Sequence, residues 1–153
     1  MTEITAELVK KLRDETGAGV MDVRRALLES EGDQAKAKEL LKLKGEAAVA
    51  KKSERETGQG VIETYVHSGG KVGAMVYLGC ETDFVAKTEE FKTLARELAM
   101  QVAAMNPTST DELIEQDYIR DSSKTVKQLI TEVVARTGEN VQIKKIARFS
   151  LGD

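Results

Sequence analysis

In "GVIETYVHSGGKVGAMVYLGC", residues 60–80, apolar residues recur with a period of two. That period is typical of β-strands with one buried face. Residues 68–70, "SGG", interrupt the pattern and are typical of a hairpin turn. We therefore predict two antiparallel strands. The apolar face of the second strand is predicted to comprise Val72, Ala74, Val76, Leu78 and Cys80.

Upstream of the hairpin, the chain predicts only helices, with clear start and stop signals. Thr5 and Asp33 are placed as N-caps, and Gly17 can adopt the left-handed conformation that ends a helix. Three helices joined by tight turns make a minimal bundle, so we assign residues 1–50 to an N-terminal three-helix domain. Residues 51–59 are charged, contain glycine and lack an apolar period, which is typical of a linker.

Downstream of the hairpin, two amphipathic helices are predicted before a last strand. Thr88 is the N-cap of the first, which ends before Pro107, and Gly138 closes the second. Between them, residues 107–123 predict only a short helix around Leu113 followed by a loop.

The final segment "NVQIKKIARFSL", residues 140–151, predicts a third strand interrupted at Lys145. Residues 60–153 would then form an α+β domain, in which helices cover one face of a three-stranded antiparallel sheet. One face of the last strand is expected to carry Val141, Ile143, Ala147, Phe149 and Leu151. The uncovered face of the sheet is expected to carry Tyr65, Met75 and Tyr77. An open sheet of this kind is a place where another chain can dock.

The composition is that of a globular protein, with 41% apolar and 32% charged residues and a net charge of −3. It is too apolar for a disordered chain, and the net charge disfavours a dedicated nucleic-acid binder. The N-terminal segment lacks the apolar run of a secretory signal, and no run approaches the ~20 residues of a membrane helix. We expect a cytoplasmic protein with no membrane contact and no direct nucleic-acid contact.

The chain has one histidine, His67, and one cysteine, Cys80. We expect His67 to be a solvated turn residue and Cys80 a small apolar core residue. One residue of each type offers little for a catalytic dyad or a zinc site. The glycine-rich "TGAG", residues 16–19, joins two helices and lacks the Gly-Lys-Ser/Thr of a phosphate loop. We predict no enzymatic activity, no cofactor and no metal site.

Three features leave alternatives open. Basic residues between Lys36 and Arg55 could form a stripe that meets RNA phosphates, or they could be a solvated helix face. Met21 could be a core residue or an exposed binding residue. Phe84, beside Asp83, could be a plug at the junction of helix and sheet or a group that contacts a partner.

Three segments, in order along the chain, resemble translation elongation factor Ts. They are "LVKKLRDETGAGVMDVRRALLESEGDQAKAKELLKLKG" (residues 8–45), "CETDFVAKTEEFKTLARELAMQVAAMNP" (80–107) and "GENVQIKKIARF" (138–149). The first is similar to the N-terminal domain of that family, which is like ubiquitin-associated domains. The second and third are similar to its core.

The resemblance implies a nucleotide exchange factor for elongation factor Tu, a GTPase, which it would meet in GDP-bound and nucleotide-free forms. The family's TDFV motif falls on Thr82, Asp83, Phe84 and Val85. The Asp-Phe pair of that motif wedges into the GTPase near its Mg²⁺ site. The segment that grips the G domain would comprise Leu12, Gly17, Gly19, Val20 and Met21. Val20 stands where the family has a first methionine.

Larger members of that family carry a second core half and a protruding helical hairpin, whereas some short members are homodimers. Residues 107–123 leave no room for such a hairpin. The resemblance therefore implies a short form, and the open sheet suggests a homodimer that pairs through it.

Overall fold

The computed structural model describes residues 3–153, which form seven helices and five strands. In chain order these are α1 (Ala6–Thr16), α2 (Val20–Glu29), α3 (Gln34–Lys52), β1 (Gln59–Val66), β2 (Val72–Cys80), α4 (Asp83–Ala86), α5 (Glu89–Met105), α6 (Thr110–Glu115), β3 (Asp117–Tyr118), β4 (Asp121–Thr125), α7 (Val126–Thr137) and β5 (Gln142–Ser150). Strands β1, β2 and β5 form an antiparallel sheet with β2 in the centre. The predicted α+β class is confirmed.

The chain divides into two compact units. The first comprises the chain up to Glu54 together with Thr131–Gly138, and the second comprises Arg55–Ile130 and Glu139–Asp153. No sequence pattern indicated that a segment so late in the chain belongs with the N-terminal helices. The boundaries proposed from the sequence, 1–50, 51–59 and 60–153, stay a prediction.

Helices α1, α2 and α3 bury a common apolar core. Its fully buried members are aliphatic: Leu12, Val23, Ala26, Leu27, Ala37 and Leu41. The predicted caps are present, because Thr5 Oγ1 accepts a hydrogen bond from the Leu8 amide at 3.1 Å and Asp33 Oδ1 accepts one from the Lys36 amide at 3.1 Å. Each cap satisfies an amide that the first helical turn leaves without a backbone acceptor.

Helix α5 packs across all three strands of the sheet, while α4 contacts β1 and β2 and α6 contacts β5. The predicted inner face of β2 is correct, since Ala74, Val76, Leu78 and Cys80 are all buried. At the start of β1, a Cβ added to Gly60 would lie 2.0 Å from the Leu78 carbonyl oxygen. Only glycine allows the two backbones to pair this closely at that point.

The predicted face of β5 is wrong beyond Ile143, because the strand contains a β-bulge. Tyr77 pairs with Lys145, but the next residue of β2, Leu78, pairs with Ile143, so Lys144 is an additional residue in β5. An additional residue moves every later side chain to the opposite face. Ala147 and Phe149 are therefore exposed, and Phe149 is 81% accessible.

The face of the sheet opposite α5 is largely apolar and exposed. Directly opposite residues of an antiparallel pair share a face, and this assigns to the open face Ile62, Thr64, Val66, Met75, Tyr77, Lys145, Ala147 and Phe149. Met75 and Tyr77 lie there as expected. Tyr65 does not, because it pairs with buried Ala74 and so lies on the covered face.

The segment between α5 and α7 contains more structure than was predicted. The short helix around Leu113 is present as α6, but the expected loop contains the strands β3 and β4, which pair with each other. Gln101 of α5 is buried and holds this ribbon, donating to the Asp117 carbonyl and accepting from the Ile119 amide, both at 3.0 Å. Burial raises the pKa of Tyr118 to about 12, and its hydrogen bond to Glu97 adds to the rise.

Over residues 3–153, none of the helices has both the length and the apolar character needed to cross a bilayer.

Candidate protein-binding site

The most exposed large apolar side chain of the described residues is Phe84, at 82%. It lies in the β2–α4 turn, defined here as residues 80–87, which connects the central strand to α5 through the four-residue helix α4. The neighbouring residues Val85 and Ala86 are buried. The interpretation of Phe84 as a core plug is therefore wrong, because a plug would be removed from solvent.

Thr82 sets the start of α4. Its backbone is extended, with φ −125° and ψ 151°, and its hydroxyl accepts a hydrogen bond from the Val85 amide at 3.2 Å. The Thr82 carbonyl accepts from the Ala86 amide at 3.2 Å. These bonds fix the single helical turn on which Asp83 and Phe84 stand, and threonine is one of the residue types suited to this position.

Two further groups hold the turn. The Cys80 thiol donates to the Thr82 carbonyl at 3.1 Å, and the Glu139 carboxylate accepts from the amides of Glu81 and Thr82. Burial raises the pKa of the Cys80 thiol from 9.0 to about 11, and the charge of Glu139 adds to the rise. A thiol this basic stays protonated at neutral pH and is a poor nucleophile, in agreement with the predicted core role.

Asp83 points to solvent beside Phe84 and forms an ion pair with Lys87 one turn later. The Lys87 Nζ lies 2.7 Å from Asp83 Oδ2, and both side chains are exposed. The hydrogen bond and the charge of Asp83 raise the pKa of Lys87. Exposed pairs of this kind stabilise a fold little, so Asp83 can exchange Lys87 for another donor at low cost.

A second exposed apolar feature is the α1–α2 turn, residues 16–21, in the first unit. Gly17 has φ 73° and ends α1, and its amide donates to the Arg13 carbonyl at 2.8 Å. A Cβ added to Gly17 would lie 3.1 Å from Arg136 Nε and 3.3 Å from Glu132 Cβ. Gly19 is the N-cap of α2, and Val20 and Met21 at its start are 47% and 64% exposed. Met21 is therefore not a core residue.

Leu12 does not belong to that exposed surface. Its side chain is completely buried in the core of the α1–α3 bundle, so it has no surface to offer a partner. The prediction that Leu12 contacts a partner directly is corrected in this respect. Its packing against Val23 and Leu27 leaves it a role in supporting the turn.

The other groups considered for chemistry lie elsewhere in residues 3–153. Residues 3–153 contain no group of three or more His, Cys, Asp or Glu side chains that could hold a metal ion. His67 is exposed, and its Nδ1 lies 2.9 Å from the Tyr65 hydroxyl. In the basic stripe, Lys38 pairs with Glu15 at 2.5 Å. These contacts suit solvated surface residues.

An α-helical bundle and an α+β unit, each presenting exposed apolar side chains on a capped turn, are typical of the class of proteins that bind other proteins. The family profile described as Elongation factor TS matches residues 81–153. Full-length similarity extends further: Elongation factor Ts of Desulforamulus reducens is 39% identical, covering 100% of this chain and 91% of the relative. The chain belongs to the elongation factor Ts family, whose members are translation elongation factors.

Two other relatives give the same result. Elongation factor Ts of Caldanaerobacter subterraneus subsp. tengcongensis is 39% identical over 98% of both chains. That of Carboxydothermus hydrogenoformans is 40% identical, covering 98% of this chain and 90% of the relative. The alignment with the Desulforamulus protein is 198 positions long, against 153 residues here. That relative therefore carries about 45 residues for which this chain has no counterpart.

Proposed function

We propose that this protein is a guanine-nucleotide exchange factor for elongation factor Tu, and that it acts by binding and not as an enzyme. The observation that carries the proposal is Phe84, a large ring held in solvent on a capped turn whose inner side is anchored. Family membership gives the partner class. The place of action would be the cytoplasm, where translation elongation occurs.

The β2–α4 turn would act as a wedge. Burying the Phe84 ring in the partner would contribute about 2 kcal/mol, but only in a conformation in which the partner's elements have separated near the Mg²⁺ and phosphate site. A GTPase holds GDP through its phosphate loop and Mg²⁺. A factor that binds the open, nucleotide-free state better must weaken GDP binding by the same factor, because the coupling is reciprocal.

Asp83 would act beside the ring. Its carboxylate is exposed, and within the turn it forms an ion pair with the exposed ammonium of Lys87. In the complex it would accept hydrogen bonds from partner amides close to the phosphate loop, a favourable arrangement for a carboxylate. Thr82 would cap the helix that carries Asp83 and Phe84, and the buried side chain of Val85 would anchor that helix.

The α1–α2 turn would grip the G domain of the partner. Val20 and Met21 supply the exposed apolar area, and Gly17 and Gly19 shape the turn. Val20 is shorter than methionine, so the grip buries less area than two methionines would. Leu12 supports the turn from the bundle core.

The open sheet face would pair two copies of the chain. Exposed Ile62, Val66, Met75 and Phe149 form an apolar surface on an antiparallel sheet, and a surface of this kind is typical of an interaction site. A sheet-to-sheet homodimer would remove these side chains from water.

Release of labelled GDP from elongation factor Tu, with and without this protein, tests the function. We expect a strong acceleration at catalytic amounts of factor. If release proceeds at the intrinsic rate, the exchange function is excluded. The alternative use of the basic stripe between Lys36 and Arg55 predicts instead an RNA affinity that falls steeply with salt.

A further inference from the structure

Glu139 lies directly after the glycine that ends α7 and reaches the β2–α4 turn from a distant part of the chain. Its Oε1 accepts from the Glu81 amide at 3.1 Å and from the Thr82 amide at 3.0 Å. Its Oε2 accepts from the Thr82 hydroxyl at 2.7 Å. One carboxylate therefore receives three hydrogen bonds from two consecutive residues.

These bonds satisfy groups at a place where regular structure ends. Glu81 follows the last residue of β2, and Thr82 precedes the first residue of α4. Amides at such a junction lack the backbone acceptor that a regular strand or helix supplies, and a carboxylate forms hydrogen bonds to amides that are stronger than neutral ones. The geometry makes Glu139 the acceptor that closes the junction.

The effect of Glu139 passes through Thr82 to the exposed ring. The Thr82 hydroxyl donates to Glu139 while it accepts from the Val85 amide at 3.2 Å. Fixing this hydroxyl therefore fixes both the direction of the turn and the first residues of α4, where Phe84 stands.

We propose that Glu139 is a positioning residue for the exchange activity, which holds the β2–α4 turn so that Phe84 meets the partner in one fixed orientation. The inference rests on the proposed function. A ring on a loosely held turn would change its own position on contact, whereas a ring on a turn with satisfied hydrogen bonds keeps its position and makes the partner move.

Two substitutions remove these hydrogen bonds to different extents. Glu139→Ala removes all three acceptor contacts. Glu139→Gln keeps one carbonyl oxygen for the amides of Glu81 and Thr82, but its amino group cannot accept from the Thr82 hydroxyl. The proposal thus predicts an order of effect, with Gln between the wild-type residue and Ala.

Cys80 reports on the turn independently of any partner. It is the only cysteine of the chain, its thiol is fully buried, and it donates to the Thr82 carbonyl. A disulfide reagent reaches this buried thiol when the structure around it opens. Because the charge of Glu139 also raises the pKa of the thiol, labelling is measured across pH for each variant, and the rate per thiolate measures how firmly the turn is held.

Glu112 supplies a matched control. Its Oε2 accepts from the Thr108 amide at 2.8 Å and from the Thr108 hydroxyl, at the start of α6. Glu112→Ala removes the same kinds of contact at another helix start, so it accounts for a general loss of local stability.

The experiment measures Cys80 labelling, GDP release from elongation factor Tu and the urea unfolding midpoint for the wild type and all three variants. We expect Glu139→Ala to label at least tenfold faster and to accelerate GDP release at least tenfold less, with Glu139→Gln intermediate and Glu112→Ala close to wild type. The proposal is overturned if Glu139→Ala labels no faster than Glu112→Ala, or if it labels faster and still exchanges normally.

If the exchange function itself is wrong, the wild type will leave GDP release unchanged. The Cys80 labelling rates would still show whether Glu139 holds the turn. If Glu139→Ala does not fold, the comparison of Glu139→Gln with the wild type takes its place. Equal labelling of those two proteins overturns the proposal.

Discussion

Phe84 and Val85 are adjacent in the chain, yet Phe84 is 82% exposed and Val85 only 5% exposed. The single turn of α4 separates them, since it directs one side chain into the core and the other into solvent. The buried residue anchors the exposed one at a distance of a single peptide unit. An exposed ring with this anchor is suited to pushing against a partner.

Phe84→Ala tests the ring. We expect it to reduce the acceleration of GDP release at least tenfold, which corresponds to about 1.4 kcal/mol of lost binding to the open state. Because the ring contributes little to the core, the free energy of unfolding should change by less than about 0.5 kcal/mol. Met105→Ala, which truncates another exposed apolar residue, should leave exchange unchanged. Equal exchange by Phe84→Ala and wild type would remove Phe84 from the site.

Substitutions of Leu12 and Met21 should affect different quantities, the stability of the fold and the affinity for the partner. Leu12 is fully buried in the bundle core, so Leu12→Ala should lower the free energy of unfolding by about 2–5 kcal/mol. Met21 is 64% exposed, so Met21→Ala should barely change stability but should weaken binding to elongation factor Tu. Urea unfolding and titration calorimetry measure the two effects. A stable Leu12→Ala variant with weakened binding would instead return Leu12 to the contact surface.

Gly17 and Gly138 form a matched pair, because both have φ 73° at the end of a helix. An added Cβ would meet nothing within 4 Å at Gly138, but at Gly17 it would lie 3.1 Å from Arg136 Nε. Both alanine variants should lose about 1–2 kcal/mol from the left-handed conformation. Gly17→Ala should lose more, because Arg136 must also move. Equal urea midpoints for the two variants would show that the crowding at Gly17 costs nothing.

Phe149→Asp tests the proposed dimer. The wild type should sediment at twice its chain mass of 16.8 kDa, and the variant should sediment as a monomer because it places an unpaired charge in an apolar contact. Leu43→Asp changes an exposed apolar residue of α3 and should remain dimeric. A monomeric wild type at micromolar concentration contradicts the pairing.

The Cys80 thiol predicts a loss of stability at alkaline pH. Its pKa is about 11 in the folded protein and 9.0 ordinarily, so between these values the folded state keeps a proton that the unfolded chain has lost. Stability from this group is complete below pH 9 and decreases as the pH rises towards 11. Cys80→Ala should be less stable overall but should show a flatter decrease across this interval. Parallel unfolding curves against pH for the two proteins would exclude the buried thiol as the cause.

Much of the fold was predictable from local signals. The caps at Thr5, Asp33 and Thr88 and the left-handed Gly17 were all found where short-range patterns indicated. Such features depend on hydrogen bonds within four residues of one another, so the sequence order itself contains them. The inner face of β2 was equally clear, because strict alternation leaves one choice of buried side.

The errors concern relationships between distant segments. Glu139 contacts Thr82 across 57 residues, and no spacing rule connects a residue after one helix to a turn before another. The prediction for Tyr65 is wrong because an aromatic residue in a strand fits either face until its partner in β2 is known. The ribbon β3–β4 was missed because five polar residues at 121–125 lack any apolar alternation.

The bulge at Lys144 determines more than the local course of β5. Deleting that one residue would return Ala147 and Phe149 to the side of Ile143 and turn Arg148 outwards. The open face would then lose the exposed ring of Phe149, although no residue had been substituted. In evolutionary terms, gain or loss of a single codon in this strand would be enough to create or abolish an apolar interface.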